Sequence, residues 1–227
     1  MKVLVFTSAY SKRPYMLRQN IFSASNQTYK DFIHSVNITL DEDLQNKDLS
    51  PLYDDILHDR LIVNYSDNEK YCFSHFNNMN TIRFVPDYES YDLFIKMDDD
   101  DVYKKDYVQN VVSFFENNPN VDITSSKIKY QLNGDKLTTR GEDILYDNLG
   151  GNPGESTYRM PITFAFNKKA LDCIMSLTLS NVNGYDDPMW RTAWENSKLT
   201  HVEMENQDHL IWNVHGNNAS VAGFLQK

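Results

Sequence analysis

"YDLFIKMDDDDVYKKDYV", residues Tyr91 to Val108, runs from an apolar stretch directly into four consecutive aspartates and then into a mixed, helix-like pattern. These aspartates, Asp98 to Asp101, are called the acidic segment below. Four adjacent carboxylates repel one another and raise each other's pKa unless a cation or solvent screens them. The stretch therefore predicts that either water or a bound metal ion screens the acidic segment.

The chain before the acidic segment alternates between strand and helix patterns. Four runs are typical of strands: "KVLVF", "FIHSVNITL", "RLIVNY" and "YDLFIKM". One helical pattern follows Pro14, which suits a first helical turn, and another lies in "YCFSHFNNMNTIRFV". This alternation predicts an α/β fold with a mostly parallel central sheet flanked by helices, and such sheets bind ligands at the carboxyl ends of their strands. The acidic segment lies at such an end.

The second half of the chain differs in character from the first. "KKDYVQNVVSFFENNP" predicts a helix, "VDITSS" a strand, and "KIKYQLNGDKLTTRG" two strands joined at Asn133-Gly134. The turn-rich "GGNPGES", Gly150 to Ser156, predicts a mobile loop that could cover a ligand. No repeat or linker separates the halves, so we expect one domain over residues 1–227 with a smaller mixed or antiparallel region in its second half.

Composition limits the class of protein and its partners. With 41% hydrophobic and 13% aromatic residues, the 227-residue chain can bury a core. A net charge of −10 disfavours nucleic acid or an anionic membrane surface as the main partner. Cys72 and Cys173 have no CxxC spacing, and the apolar run in "MKVLVFTSAY" is too short for a signal peptide or a membrane span. We expect a cytoplasmic protein with no transmembrane segment.

Two interpretations of the acidic segment other than a diphosphate-bound metal ion can be compared with the sequence. Acidic residues suit the positive end of the helix that begins near Lys104, which accounts for about two of the four aspartates. A calcium-binding EF-hand loop does not fit, because Val102 occupies the fifth position and Tyr103 replaces the required glycine. The remaining interpretation is a divalent ion on a diphosphate, since Mg²⁺ and Mn²⁺ favour carboxylate oxygens.

Four stretches, in chain order, carry a resemblance to a known family. They are "SKRPYMLRQNIFSASNQTY", "FIKMDDDDVY" with Asp98 and Asp100 in Asp-x-Asp spacing, "GYDDPMW", and "WNVHGNNAS". Together they resemble the metal-dependent glycosyltransferases of the GT-A fold, a Rossmann-like architecture, and especially the bacterial family-2 type that uses nucleotide-sugar donors. Asp-x-Asp alone is a weak signal, so the resemblance depends on the order and spacing of all four pieces.

The resemblance implies a role for each matching position. Asp98, Asp100 and His215 would hold Mn²⁺ or Mg²⁺, and Asp187 would be the catalytic base, with Glu195 on the same helix as the alternative. The family's base-binding aspartate falls at Thr39 here, with Asp41 and Asp43 displaced from it. The loop after the first strand, taken as Thr7 to Tyr10, would touch the nucleotide. The full set of implied donor contacts is Thr7, Ala9, Tyr10, Arg13, Asp41, Asp98 and Asp99.

Structural explanations stay open beside these roles. Thr7 to Tyr10 could be an ordinary strand-to-helix turn, and Asp186 and Asp187 a turn and helix cap. His215 could be an ordinary histidine. Trp190, Trp194 and Trp212 could be core residues, although aromatic faces also stack on sugar rings.

The implied activity is transfer of a sugar from a nucleoside diphosphate to an acceptor hydroxyl, with inversion, in polysaccharide or glycan biosynthesis. Residues 1–103 would bind the nucleotide sugar and residues 104–227 the acceptor, which could bring the protein to a membrane periphery. A metal-dependent hydrolase of nucleotide sugars or phosphoesters could use the same acidic site, and a non-catalytic nucleotide-sugar or carbohydrate-binding module is the third possibility. The sequence names neither sugar nor acceptor nor oligomeric state.

Overall fold

A computed structural model of the chain describes residues 1–10, 14–40, 59–67, 74–126, 130–133, 136–139, 164–177, 186–204 and 210–214. The strands are β1 Val3–Tyr10, β2 Phe32–Leu40, β3 Leu61–Asp67, β4 Leu93–Lys96, β5 Val102–Tyr103, β6 Ile123–Ser126, β7 Tyr130–Asn133, β8 Lys136–Thr139, β9 Ala165–Asn167, β10 His201–Met204 and β11 Leu210–Val214. The helices are α1 Pro14–Ser25, α2 Ser74–Arg83, α3 Tyr107–Asn117, α4 Lys168–Met175 and α5 Asp186–Asn196.

The main sheet has seven strands in the order β10-β6-β9-β4-β1-β2-β3. Strand β1 lies at its centre and pairs in parallel with both β2 and β4. Among the described strands of this sheet, β9 is the one that runs antiparallel to its neighbours β4 and β6. The prediction of a mostly parallel α/β sheet is therefore confirmed.

Helices cover both faces of this sheet because successive strand residues point to opposite sides. On one face, Val3 and Val5 pack against α3, whose buried residues recur at helical spacing. On the other face, Leu4 and Phe6 pack in a cluster with α2, α4 and α5. The first-half strands and helices predicted from the sequence are all present, whereas β5, β9, α4 and β10 were not predicted.

Strand β1 is longer than its apolar run indicates, so the expectation of a loop from Thr7 to Tyr10 is wrong. The ladder to β2 continues from Val3 opposite Phe32 to Tyr10 opposite Thr39. The polar side chains in this part of β1 find partners inside the fold: Thr7 contacts Asn20 on α1 and His34 on β2. A hydroxyl with partners can lie in a buried strand at little cost.

The second sheet has four strands in the order β5-β11-β7-β8 and is mixed. Strands β7 and β8 pair antiparallel with Asn133 opposite Lys136, as the prediction of two joined strands requires. Strand β5 follows the acidic segment directly, so this segment is where the chain leaves the main sheet and enters the second one. Three second-half strands, β6, β9 and β10, complete the main sheet.

Candidate functional site

The backbone of the acidic segment is held at its first residue. The N–H of Asp98 donates to the hydroxyl oxygen of Tyr103 at 2.7 Å. The carbonyl oxygen of Asp98 accepts from the Asn20 side-chain amide at 2.7 Å and from the N–H of Asp101 at 3.3 Å. Side chains from α1 and β5 thus fix the peptides on both sides of Asp98, at the carboxyl end of β4.

The four carboxylates have different surroundings. Asp98 pairs with the ammonium of Lys96, with 3.0 Å between Oδ1 and Nζ. Asp99 accepts the backbone N–H of Tyr10 through Oδ2 at 3.1 Å, which ties the acidic segment to the end of β1. Asp99, Asp100 and Asp101 are only 3%, 8% and 1% exposed. A lysine of the chain itself therefore screens part of this charge, in addition to any water or metal.

Lys96 connects the acidic segment to helix α5. Its ammonium lies 5.9 Å from the ring centroid of Trp190, a distance compatible with a cation–π contact. Trp190 is fully buried, and its indole N–H donates to Nδ1 of His75 on α2 at 2.8 Å. Residues of β4, α5 and α2 thus meet beside Asp98.

Two buried tyrosines complete the surroundings of the acidic segment. Burial raises the pKa of Tyr103 and Tyr107 well above the ordinary value, and the nearby Asp98 carboxylate raises both further. Their rings pack together with centroids 5.1 Å apart. Both phenols stay neutral at any physiological pH, so that Tyr103 remains a stable hydrogen-bond partner of the Asp98 backbone.

Gln27, part of the quoted Gln-Thr-Tyr pattern, ties α1 to the segment that follows the aspartates. Its side-chain amide donates to the carbonyl oxygen of Lys104 at 2.8 Å, and its Oε1 accepts the N–H of Val108 at 3.0 Å. The N–H of Thr28 donates to the carbonyl oxygen of Lys105 at 2.6 Å. In this protein the pattern holds the start of α3 against the end of α1.

The β1 residues that the resemblance implies as nucleotide contacts differ in how exposed their side chains are to solvent. The side chains of Thr7 and Ala9 face α1 and are buried, Ala9 within the cluster of Leu17 and Ile21. Tyr10 is half-buried at the end of the strand, next to Asp99. Of the three implied contacts on β1, Tyr10 is thus the one with exposed surface, while Arg13 and Asp41 lie outside the described residues.

The two candidate bases lie at opposite ends of α5. Asp187 is in the first turn, and Trp190 follows three residues later, about 4.5 Å further along the helix axis. Glu195 is exposed and lies about 12 Å from Asp187 along the axis. Trp190, which contacts Lys96, lies between the two candidates along the axis, about 7.5 Å from Glu195. Trp190 and Trp194 are core residues, which excludes them as exposed sugar platforms.

Strand β11 runs toward the acidic segment. It pairs antiparallel with β5, with Leu210 opposite Tyr103 and Ile211 opposite Val102. Continuing in this direction, the end of β11 at Val214 approaches the acidic segment rather than leaving it. His215 follows β11 in the sequence and lies outside the described residues.

For a divalent ion, the described residues provide carboxylate ligands but do not form a closed cage around it. They contain no group of three or more His, Cys, Asp or Glu side chains arranged to hold a metal. Asp98 and Asp100 supply the oxygen atoms that Mg²⁺ and Mn²⁺ prefer, and Mg²⁺ commonly uses one or two carboxylates plus substrate phosphates and water. The donor set therefore fits an ion that arrives with a diphosphate.

Sequence reasoning missed the residues that hold the acidic segment: Asn20, Lys96 and Tyr103. Lys96 carried a visible signal, because it is a charged residue inside the apolar strand "LFIKM". Asn20 and Tyr103 carried no such signal, since polar and aromatic residues in a helix or after a turn are ordinary.

No described helix is long and apolar enough to cross a bilayer.

Comparison with known proteins shows a shared fold without a shared sequence family. No protein-family model matches the chain, and no curated protein sequence matches it. Residues 1–349 of TarS from S. aureus, in complex with UDP-GlcNAc, match 98% of this chain with a TM-score of 0.66 at 13% identity. The mannosyltransferase PcManGT from Pyrobaculum calidifontis, in complex with GDP-Man and Mn²⁺, matches 100% of it with a TM-score of 0.60 at 10% identity.

This chain is shorter than the proteins it resembles. It spans 61% of TarS 1–349, 64% of PcManGT, and 37% of the longer TarS structure, which it matches with a TM-score of 0.63 at 16% identity. At these identities the likeness establishes the α/β fold, with its seven-stranded sheet and flanking helices.

Proposed function

We propose that this chain is a metal-dependent glycosyltransferase of the GT-A, family-2-like type, which moves a sugar from a nucleoside diphosphate to an acceptor hydroxyl with inversion. The observation that carries the proposal is the arrangement at the carboxyl edge of the sheet. There the acidic segment lies between the two sheets, and Lys96, which pairs with Asp98, contacts Trp190 on α5, the helix that contains Asp187. The fold shared with proteins solved with UDP-GlcNAc, or with GDP-Man and Mn²⁺, supports it.

On the donor side, Asp98 and Asp100 would hold Mn²⁺ or Mg²⁺ against the diphosphate, with His215 as a further ligand. The bound ion would stabilise the negative charge that develops on the leaving diphosphate. The chain's own contribution is to fix the Asp98 backbone with Asn20 and Tyr103, so that the position from which the carboxylate extends is set before the donor arrives. Tyr10, Arg13, Asp41 and Asp99 would complete the nucleotide contacts, supported by the buried Thr7 and Ala9.

On the acceptor side, Asp187 would take the proton of the attacking hydroxyl. Along α5, Asp187 is three residues from Trp190, which contacts Lys96, and Glu195 is five; the family resemblance also favours Asp187, with Glu195 as the alternative base. In this proposal residues 1–103 bind the donor and residues 104–227 the acceptor, within one domain. The reaction would belong to polysaccharide or glycan assembly in the cytoplasm.

The decisive experiment measures thermal stabilisation by a panel of UDP-, GDP- and other nucleotide sugars, each with and without Mn²⁺. A ligand that binds only the folded state stabilises it by RT ln(1 + [L]/Kd), about 2.7 kcal/mol at a concentration 100 times Kd. We expect one donor class to raise the melting temperature strongly, and only when Mn²⁺ is present. An unchanged melting temperature with every donor would contradict the proposal.

Product analysis then separates the three functional classes. With the stabilising donor, we expect nucleoside diphosphate release to increase when glycan acceptors are added, because transfer needs the acceptor hydroxyl. Equally fast release without acceptor would indicate a hydrolase. Tight, Mn²⁺-dependent donor binding with no product under any acceptor would indicate a binding module.

A further inference from the structure

Lys96 is a buried cation next to the acidic segment. It is the last residue of β4 and is only 5% exposed. Its neighbours on the same face of the sheet are Phe94, in its own strand, and Phe6, opposite it on β1. A lysine is seldom buried among such groups unless its charge is paired, because desolvating an ammonium group is costly.

The partners of Lys96 lie on two different elements. Its ammonium is 3.0 Å from Oδ1 of Asp98 and 5.9 Å from the centroid of Trp190 on α5. Trp190 cannot easily move, because it packs edge-to-face on Phe166 at 5.8 Å and donates its N–H to His75. Lys96 therefore extends from a fixed strand, past a fixed ring, to the first carboxylate of the acidic segment.

This contact has two physical consequences. Since Asn20 and Tyr103 already fix the backbone of Asp98, its side-chain torsions are its main remaining freedom, and the ammonium restricts them. The same ammonium is a positive charge placed where a divalent cation would approach, so it repels that cation and competes with it for Oδ1. A diphosphate counters this repulsion because it adds negative charge and oxygen ligands.

We propose that Lys96 is a positioning residue that orients the Asp98 carboxylate and offsets the charge of the acidic segment, so that a divalent cation binds weakly alone and strongly together with a nucleoside diphosphate. This inference rests on the proposed function, because it concerns the ion and donor of that reaction. It gives a role to Lys96, which would contact neither the ion nor the donor, and it links the acidic segment to α5.

The test compares K96M with wild type in two measurements. In the first, free Mn²⁺ is followed by electron paramagnetic resonance during titration with Mn²⁺ alone and then with Mn²⁺ plus UDP or GDP. We expect K96M to bind Mn²⁺ alone at least about threefold more tightly, because the repelling charge is gone. The further gain in affinity from the diphosphate should be smaller than in wild type. In the second measurement, kcat at saturating donor and Mn²⁺ should fall by about tenfold or more, because the carboxylate is no longer oriented.

Two further variants separate charge from packing. K96R keeps the positive charge, so it should return the affinity for Mn²⁺ alone to near the wild-type value while restoring kcat only in part, since a guanidinium has a different shape. K169M is the matched control: Lys169 pairs with Asp122 at 3.1 Å, on α4 rather than beside the acidic segment. We expect K169M to change neither Mn²⁺ affinity nor kcat.

A purely structural lysine would give the opposite pattern. K96M would then bind Mn²⁺ as weakly as wild type or more weakly, and that result overturns the proposal, as does failure of K96R to restore weak binding. Should K96M not fold, as judged by circular dichroism, K96Q replaces it in both measurements, since it also removes the charge but keeps a polar end, and the same results support or overturn the proposal.

Failure of the proposed function looks different from failure of this inference. Wild type would then neither bind Mn²⁺ with a nucleoside diphosphate nor transfer a sugar. A double-mutant cycle of K96M and D98N in urea unfolding would still measure the coupling between the two side chains. Coupling without any Mn²⁺ binding would make Lys96 a structural residue only, which also overturns the proposal.

Discussion

At the scale of single residues, buried polar side chains decide how the acidic segment is presented. Asn20 and Tyr103 hold the backbone of Asp98, and Lys96 holds its carboxylate. Each comes from a different element, and each is itself buried, which limits the access of water to these contacts. The geometry of the acidic segment is therefore set by the surrounding fold before any ligand binds.

Replacing Asp100 with asparagine removes a proposed ion ligand while nearly preserving shape. We expect turnover to fall by roughly 10²-fold or more, because the charge on the leaving group would be less well stabilised. The melting temperature should change little. D172N is the control, since Asp172 is exposed on α4 and pairs only with the neighbouring Lys168 among the contacts described. Full activity of D100N, or activity that survives excess EDTA, would eliminate the metal role.

Asn20 gives a prediction about preorganisation. N20A deletes the hydrogen bond to the Asp98 carbonyl and leaves that oxygen and the Thr7 hydroxyl short of a partner. We expect a loss of about 1–3 kcal/mol in the free energy of unfolding, measured with urea, together with weaker Mn²⁺-dependent donor binding. N26A is the control: Asn26 follows α1 directly, is exposed and makes local bonds. Equal stability of N20A and N26A would contradict the prediction.

At the scale of elements, three connections bring the proposed site together. Gln27 holds the end of α1 to the start of α3 on one side of the acidic segment. Trp190 and Lys96 bring α5 against the other side, and β11 runs along β5 toward the same point. These contacts join elements that are far apart in the chain, and they place α5 beside Lys96, next to the acidic segment.

The position of α5 leads to a prediction that separates base from metal ligand. D187N should lower turnover by about 10²–10⁴-fold while binding donor and Mn²⁺ with near-normal affinity, because a general base acts on the chemical step. E195Q, on the far end of the same helix, serves as the matched variant and should keep most turnover. Calorimetry gives donor affinity and product formation gives turnover. The reverse result would assign the base to Glu195, and unimpaired turnover in both would rule out the proposed mechanism.

At the scale of the whole molecule, the second half of the chain is built into the main sheet of the first half. Asp122, just before β6, is central to this arrangement. Its carboxylate accepts from the N–H of Thr200 at 2.9 Å, the amide of Asn167 at 3.0 Å and the ammonium of Lys169 at 3.1 Å. One carboxylate thus joins the starts of β6, α4 and β10, which lie far apart in sequence.

Asp122 makes the stability of the fold depend on pH. Partial burial by itself would raise the pKa of Asp122, but the bonds from Thr200, Asn167 and Lys169 outweigh burial and bring it below the ordinary 3.8. A lowered folded-state pKa stabilises the protein above the unfolded-state value, and this contribution is lost as pH falls through the folded-state value. D122N should therefore cost about 1.5–3 kcal/mol of unfolding free energy at pH 7, and less below pH ~4.

Urea unfolding of wild type and D122N from pH 7 to pH 3 checks this prediction. D172N, which removes an exposed carboxylate paired on its own helix, should show only a small difference at every pH. A D122N deficit that stays constant down to pH 3 would mean that the carboxylate charge is not the source of the stability.

Much of the main architecture could be predicted from the chain itself, because its signals are local. The apolar runs of β1, β2 and β4 and the turn at Asn133-Gly134 depend on neighbouring residues, and they predicted the sheet and the paired β7 and β8 correctly. The full length of β1 could not be predicted: Thr7 and Ser8 look like the start of a loop, and only their partners on α1, α2 and β2 keep them in a strand.

For the candidate site, the amino-acid sequence determined where the charge is, and the tertiary structure decided what surrounds it. Four aspartates after an apolar strand are visible in the sequence, as are Asp187 and Glu195 in one helical stretch. The position of α5 beside the acidic segment depends on Trp190 meeting Lys96, and the screening of Asp98 depends on the same lysine. Contacts between residues so distant in the chain leave no periodicity or spacing to detect, because they arise only when the sheet and its helices pack together.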